Sequence, residues 1–322
     1  MKTKSFLFIA VVLALLSCSK DESSTTPPSI GSIFGSVLNA SSNSGLVGVQ
    51  ITTLPPTGSV LTGNTGSYSI SSIPVGNYKV FASLSGYRSD TVNIAVSSGT
   101  TSQVDFRLIA VITGLVAYYP FNGNALDQSG NGNNGLVNGA TLTQDRFGNM
   151  NSAYAFNGTT QFISIANSAG LNPSSAYTVH AWIRTSASHT NAGIIGKWNS
   201  YGGSYQGQYV LQAFTGGVNF IILTPTGQYQ VTEPTYSDGF WHAFTGVWDG
   251  STTAIYKDGI LKSQIPCAGG IQTFNQALEI GRYAQGQGGA QNYFNGTIDD
   301  VRLYNRALTA QEIQTLYHEG GW

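Results

Sequence analysis

Hydrolysis of a glycosidic bond needs two carboxylates within a few ångströms of each other. On a β-strand alternate residues share a face, so an acid two positions from a Glu is the pattern that supplies them. The chain has five Glu, at positions 22, 233, 279, 312 and 319, and none is followed two residues later by an Asp. Glu279 stands alone in a strand-like run, and Glu233 precedes Pro234. The four His lie in no recognisable motif, and there is no Gly-x-Ser-x-Gly elbow, zinc spacing or phosphate loop. Two other segments have a composition suited to binding. Lys197 to Tyr209 and Ala284 to Tyr293 mix aromatic rings, amides and Gly. Rings cover the apolar C–H faces of sugars, and Asn and Gln side chains pair with their hydroxyls. The candidate ligand residues are Trp198, Asn199, Tyr201, Tyr205, Tyr209, Gln285, Gln287 and Tyr293. The same composition also suits plain polar loops with the tyrosines folded back.

The elements that position these residues follow from composition. Of 322 residues only 9% are charged, with 14 Lys+Arg against 15 Asp+Glu. A net charge of -1 provides no basic surface to gather phosphates, which argues against a nucleic-acid partner. Hydrophobic residues at 41% suffice for a core. Forty Gly and 17 Tyr, with abundant Ser, Thr and Asn, predict many short strands joined by turns. Two Cys make no disulfide scaffold, and Cys267 is expected to be a buried free thiol.

Lys2 and Lys4 precede an apolar run from Phe6 to Leu16 that ends in Leu15-Leu16-Ser17-Cys18. The run is too short for a membrane span and suits a signal-peptide core. It resembles a bacterial lipoprotein signal, which implies cleavage of residues 1–17 and lipidation of Cys18 as a membrane anchor. The short charged stretch Ser19-Lys20-Asp21-Glu22-Ser23 resembles the tag of Bacteroidetes-type surface lipoproteins, implying the outer face of the outer membrane. Residues 18–30, with Pro27-Pro28, read as a stiff polar tether.

Residues 31–109 alternate with period two in about seven runs separated by turn signals, the pattern of a small sandwich. The string Gly66-x-Tyr68-x-Ile70, Ile73-Pro74-x-Gly76-x-Tyr78-x-Val80 and Gly86-Tyr87 resembles the carboxypeptidase-regulatory-like domains. That resemblance implies an Ig/prealbumin-like spacer without catalytic function.

Residues 114–322 form the second unit. Asp249-Gly250 and Asp258-Gly259 sit between alternating runs as hairpin signals. Phe240, Trp241, Trp248 and Tyr256 are expected inside, with His242 a structural histidine. Thr309 and Glu312 make a capping box for one short C-terminal helix. The opening Tyr118-Tyr119-Pro120-Phe121-Asn122-Gly123, then Trp182, Phe240-Trp241-His242 and Tyr256-Lys257-Asp258-Gly259, lead to the closing Gly296-Thr297-Ile298-Asp299-Asp300-Val301-Arg302-Leu303-Tyr304-Asn305-Arg306-Ala307-Leu308. In this order they resemble the laminin-G-like, concanavalin A-like jelly rolls. The resemblance implies an all-β chain with a two-sheet sandwich as its larger part. It also implies one structural calcium, for which Asp299 is the first choice and Asp300 the alternative, with Asp127 and the oxygens of Asn157-Gly158 as further ligands. Strand phase places Asp299 inward with Val301 and Leu303, and Asp300 outward. Satisfaction of the carboxylate by Arg302 or backbone amides, with no ion, is the other possibility. The sequence thus favours a non-catalytic surface lipoprotein that binds carbohydrate or glycoprotein. The rival readings are an adhesive protein with protein partners and, last, an unusual glycosidase.

Overall fold

The structure is a computed structural model that describes residues 29–201, 204–285 and 292–322. The expected signal peptide and Cys18 lie outside the described residues. No described helix is long and apolar enough to cross a membrane.

The small domain is a sandwich of two four-stranded sheets. One sheet centres on Ile30–Asn39, which pairs antiparallel with Ser67–Pro74 and parallel with Thr101–Gln103 and Phe106–Leu108. The other runs Ser59–Leu61, Gln50–Leu54, Gly76–Ser83, Asp90–Val96. Alternation does what it predicts: Tyr78, Val80 and Ala82 face inward, and Lys79 outward. Ile33, Val37, Val49, Ile51 and Val80 are fully shielded between the sheets. The closing strand Phe106–Leu108 is preceded by a separate short strand, Thr101–Gln103, and the two are parted at Val104 and Asp105. The Asp105 carboxylate accepts from Ser36 N at 2.7 Å and Ser36 Oγ at 2.9 Å, taking the place of a ladder bond. The backbone N–H of Ser36 holds this carboxyl below its ordinary pKa. The described residues of this domain hold eight strands: Ser59–Leu61 and Thr101–Gln103 are added to the expected runs, and the runs at 66–70 and 73–76 join as Ser67–Pro74.

The larger domain is a sandwich of a nine-stranded and an eight-stranded sheet among the described residues. The first runs Gly135–Asn138, Phe162–Ile165, Leu278–Ile280, Asn191–Tyr201, Ser204–Phe214, Gly217–Thr224, Gly227–Glu233. The second runs Thr141–Thr143, Ala153–Asn157, Asn295–Tyr304, Tyr177–Arg184, Trp241–Trp248, Thr252–Lys257, Ile260–Pro266. Leu115–Tyr119 joins the second sheet by pairing with Asn295–Tyr304. Their inner faces interlock around Tyr177, Phe220, Phe244 and Trp248. At Gly246 the sheets come so close that a Cβ would lie 2.3 Å from the Phe220 ring. The hairpin at Asp258-Gly259 uses positive φ at both residues, 53° and 76°, as a tight Asp-Gly turn requires.

The capping box at Thr309 and Glu312 starts the helix Ala310–Tyr317. Its Ile313 and Leu316 pack on Val247, Tyr304 and Leu308. These lie on the outer face of the second sheet, where Trp182 also stacks on Tyr317 at 5.6 Å. Phe240 departs from expectation. It is 72% exposed, because the strand begins only at Trp241 and Phe240 belongs to the preceding turn.

Candidate functional site

The two segments expected to bind a ligand meet at one end of the nine-stranded sheet. Asn191–Tyr201 and Ser204–Phe214 form a long hairpin. Arg282–Gln285 lies parallel to its first strand, with Asn199 opposite Ala284 and Ser200 opposite Gln285. Asn292–Tyr293 then pairs back onto Arg282–Gln285. The side chains of Tyr201, Tyr205 and Gln285, and the whole of Gln287, lie outside the described residues.

Two expected ligand plates are corrected. Tyr209 is fully buried between the sheets, 4.6 Å from the Tyr177 ring, because it alternates in phase with Leu211 and Ala213 on the core face. Trp198 is 5% exposed and packs with Val210, Ile221, Leu223 and Tyr283. A register shift between Lys197 and Trp198 sets the indole against Gly207, where a Cβ would lie 2.5 Å from the ring. Tyr293 is half-buried and accepts from Arg282 Nη1 at 3.2 Å. Arg282 also lies over the Phe162 ring at 3.3 Å and forks Glu279 through bonds of 3.0 and 2.6 Å. Two amide atoms at this end are shielded and have no partner among the described residues: Asn199 Oδ1 and Asn292 Nδ2.

Beside the hairpin is an arrangement that no sequence motif announced. Lys197 is fully buried in its strand, and its Nζ donates to Asn167 Oδ1 at 2.5 Å and to Asn172 Oδ1. Asn172 Oδ1 also accepts from Gln208 Nε2 at 3.0 Å, and Asn167 Nδ2 donates to Asn275 Oδ1 at 2.5 Å. The amides therefore run as a ladder from the buried ammonium out to exposed Asn167 and Asn275. Gln208 Oε1 is buried and unpartnered. Burial with only neutral oxygens around it lowers the Lys197 pKa to about 8. Asn167 and Asn275 are 108 residues apart, so the ladder has no local signature. The one available signal was a Lys between the apolar pair Ile194-Ile195 and Trp198.

The residues expected to hold calcium do something else. At Asp300, with φ of 45°, the closing strand bulges, and its register against His180 and Trp182 shifts. Asp299 therefore pairs with Trp182 on the outer face, not inward with Val301 and Leu303. Arg146 Nη1 lies 2.8 Å from Asp299 Oδ2 and 2.5 Å from Asp300 Oδ2. Arg302 lies 3.5 Å from Asp300 and pairs with Glu319, while the Tyr118 hydroxyl donates to Asp300 at 2.9 Å. Burial and then the Asp300 charge push the Asp299 carboxyl up. Asp300 is buried too, but Arg302 and Arg146 hold its pKa down. Asp127 accepts from Tyr118 N, Ser129 N, Ser129 Oγ and Asn133 N, each at 2.9 Å. Asn157 Oδ1 accepts from the N–H groups of Thr159, Thr160 and Gln161, and Gly158 N donates to Phe294 O. Asp127, Asp299, Asp300 and the Asn157 side chain are spent on their own turns or ion pairs, and two guanidinium groups stand where a dication would need to enter. These residues do not fit a calcium ion. Among the described residues no group of three His, Cys, Asp or Glu is placed to hold a metal.

His242 bridges two carboxylates, with Nδ1 2.7 Å from Asp258 Oδ2 and Nε2 2.9 Å from Asp238 Oδ2. The Asp258 bond raises its pKa first of all. It ties the Asp258-Gly259 turn to the start of the neighbouring strand, a structural role.

Residues 157–314 match the family described as the concanavalin A-like lectin/glucanases superfamily, and residues 32–109 match the carboxypeptidase regulatory-like domain. The chain carries one domain of each family. No curated protein matches the chain. Among solved structures, the binding domain of Paraclostridial Mosquitocidal Protein 1 superposes with a TM-score of 0.52 at 16% identity, over 64% of this chain and 52% of that one. The receptor-binding domain of botulinum neurotoxin C/D mosaic serotype gives 0.50 at 15% identity, over 64% and 51%. The chain thus spans about half the length of these structures, and what they share with its concanavalin A-like domain is the fold.

Two outcomes follow for that domain. Arg146→Met leaves buried Asp299 without its cation, while Arg302 and Tyr118 still hold Asp300, and should cost about 3 kcal/mol, read as a lowered urea midpoint. For Lys197 the folded pKa lies below the unfolded 10.5. Between about 8 and 10.5 the unfolded chain therefore binds more protons, and stability from this group rises with pH across that window. Lys197→Met should remove that upward component from the difference between variant and wild-type melting curves; equal slopes from pH 8 to 10 would contradict the assignment.

Proposed function

We propose that the concanavalin A-like domain is a non-catalytic carbohydrate-binding module. The observation that carries this reading is the convergence of the hairpin end with the Arg282–Gln285 and Asn292–Tyr293 strands beside an exposed amide ladder. Asn199 Oδ1 and Asn292 Nδ2 are one acceptor and one donor with no partner among the described residues, on half-buried side chains whose rotation would bring them to a sugar hydroxyl. A buried polar group left without a partner costs free energy that a sugar hydroxyl returns by bonding to it. The matched superfamily includes lectins, and the toxin structures that share the fold are named as binding domains, in keeping with recognition. The acids that catalysis would need are otherwise engaged: Glu279 by Arg282, Glu233 by the Thr235 hydroxyl at 2.6 Å, and the Asp299–Asp300 pair by arginines.

In this reading the small domain is a spacer and Cys18 carries the lipid that holds the chain on the outer face of an outer membrane. The supporting feature is the placement of Cys18 where the apolar run ends. Expression of the full chain with Cys18→Ser should move it from the membrane fraction to the soluble fraction, and unchanged fractionation would remove the anchor from the scheme.

The binding reading is tested on a glycan array with the mature protein. Asn199→Ala and Asn292→Ala should each weaken the glycans bound by up to about tenfold, the cost of one good hydrogen bond. Binding indifferent to both changes, or an array with no bound glycan, would sink it.

A further inference from the structure

The strand Asn191–Tyr201 has a second end, and there the structure builds a different site. The end of Tyr177–Arg184, the turn before Trp241–Trp248 and the start of Asn295–Tyr304 come from three adjacent strands of the eight-stranded sheet. Between them is a cleft of about 240 Å³ lined by Arg184, Thr185, Ser186, Ala187, Gly239, Asn295 and Gly296. Its floor is fixed. Thr185 Oγ1 donates to Asn295 O at 2.6 Å and accepts from Ala187 N, and Gly239 N donates to Thr185 O. Asn295 N donates to His189 Nε2 at 3.0 Å, and the His189 ring is stacked flat on Phe294 at 4.9 Å.

The charge at this cleft is unbalanced. The larger domain has five arginines, at 146, 184, 282, 302 and 306. Four are paired with carboxylates: Arg146 and Arg302 with the Asp299–Asp300 cluster, Arg282 with Glu279 and Arg306 with Glu312. Arg184 has no carboxylate partner among the described residues. Its guanidinium lies over the Trp241 ring at 5.1 Å, which holds the plane of the fork. Asp238, which directly precedes the cleft-lining Gly239, is taken by His242 Nε2 and by Phe240 N, each at 2.9 Å. That second bond also sets the turn on which Phe240 stands 72% exposed, immediately after the cleft-lining Gly239.

We infer that this cleft is a subsite for an anionic sugar, one bearing a carboxylate or a sulfate. A guanidinium offers two parallel N–H groups matched to either oxyanion. Phe240, 72% exposed and next in the chain to the cleft-lining Gly239, is the candidate for an apolar plate at the rim, Ser186 and Asn295 supply exposed polar side chains, and the cleft is smaller than the roughly 300–1,000 Å³ of drug-sized sites. One ring with one charged substituent fits these features. An acidic peptide offers the charge but not the C–H face. The inference rests on the carbohydrate reading and adds to it a charge preference, at the opposite end of Asn191–Tyr201 from the hairpin tip, with Asn292–Tyr293 leading from one site to the other.

The test is calorimetric titration of the mature protein with four probes: tetragalacturonate, a sulfated galactan tetrasaccharide, neutral laminaritetraose and a short poly-glutamate peptide. At least one of the two anionic sugars should bind about tenfold or more tightly than the neutral one, and which of them does so identifies carboxylate or sulfate. Arg184→Met should abolish that preference, Arg184→Lys should restore part of it, and Phe240→Ala should weaken the same sugar. Neutral-sugar binding at the hairpin end should be unchanged by Arg184→Met, which also reports that the variant is folded. A preference that survives Arg184→Met, no preference at all, or poly-glutamate binding as tight as the sugars would overturn the subsite while leaving the hairpin site standing. Absence of binding to every oligosaccharide would overturn both readings.

Discussion

The larger domain depends on how one strand tolerates two adjacent carboxylates. Asn295–Tyr304 pairs with Ala153–Asn157 along its first half, with Leu115–Tyr119 along its second, and with Tyr177–Arg184 over nearly its whole length. Ladders on both sides are kept in register by the bulge at Asp300, which turns Asp299 and Asp300 to the same outer face. Burial and the neighbouring charge push the Asp299 carboxyl up, and a cation between the two carboxyls lets them share that face. Arg146 supplies it, itself held between Phe147 at 4.3 Å and Trp182 at 4.6 Å. Arg302 extends the network to Glu319, so the C-terminal segment is fastened over the same sheet. The ion cluster is thus a clasp that joins the start, the middle and the end of the domain. It leaves the sandwich rims, where loops emerge, free for recognition.

That division explains what was legible in the sequence. Local rules carried the framework. Alternation at Tyr78, Val80 and Ala82, the Asp-Gly turn at 258–259 and the capping box at Thr309 and Glu312 each depend on residues within a few positions of one another. The clasp does not. A bulge moves a side chain to the other face without altering composition, so strict alternation sent Asp299 inward. Arg146 is 153 residues from Asp299, and nothing near it suggests the partnership.

The binding residues were misjudged for a related reason. Trp198 and Tyr209 sit among Gly, Ser and Gln, which reads as loop, yet both lie on strands, and phase decides their fate. Tyr209 falls on the core side with Leu211, and Trp198 is turned against Gly207 after a register shift. Phe240 erred the other way: an aromatic beside Trp241 reads as core, but the strand begins one residue too late to bury it. The placement of the two loops was sounder than the choice of side chains. Their backbones do meet, at Asn199 and Ala284.

A low charge content gives each unpaired charge more weight. With only 9% charged residues and a net charge of -1, the chain has little surface field to compete with a single group. The carboxylates near the other arginines of the larger domain neutralise them at contact distance, so those pairs act as dipoles whose influence falls off quickly. Lys197 is shielded by burial, and its lowered pKa removes part of its charge near neutrality. The cleft thus holds the Arg184 guanidinium with no carboxylate partner among the described residues, and the hairpin end holds uncharged amides. An anionic substituent would therefore be drawn to Arg184 by Coulomb attraction, while neutral hydroxyls bond the amides of Asn199 and Asn292, the latter three residues along the chain from the cleft-lining Asn295.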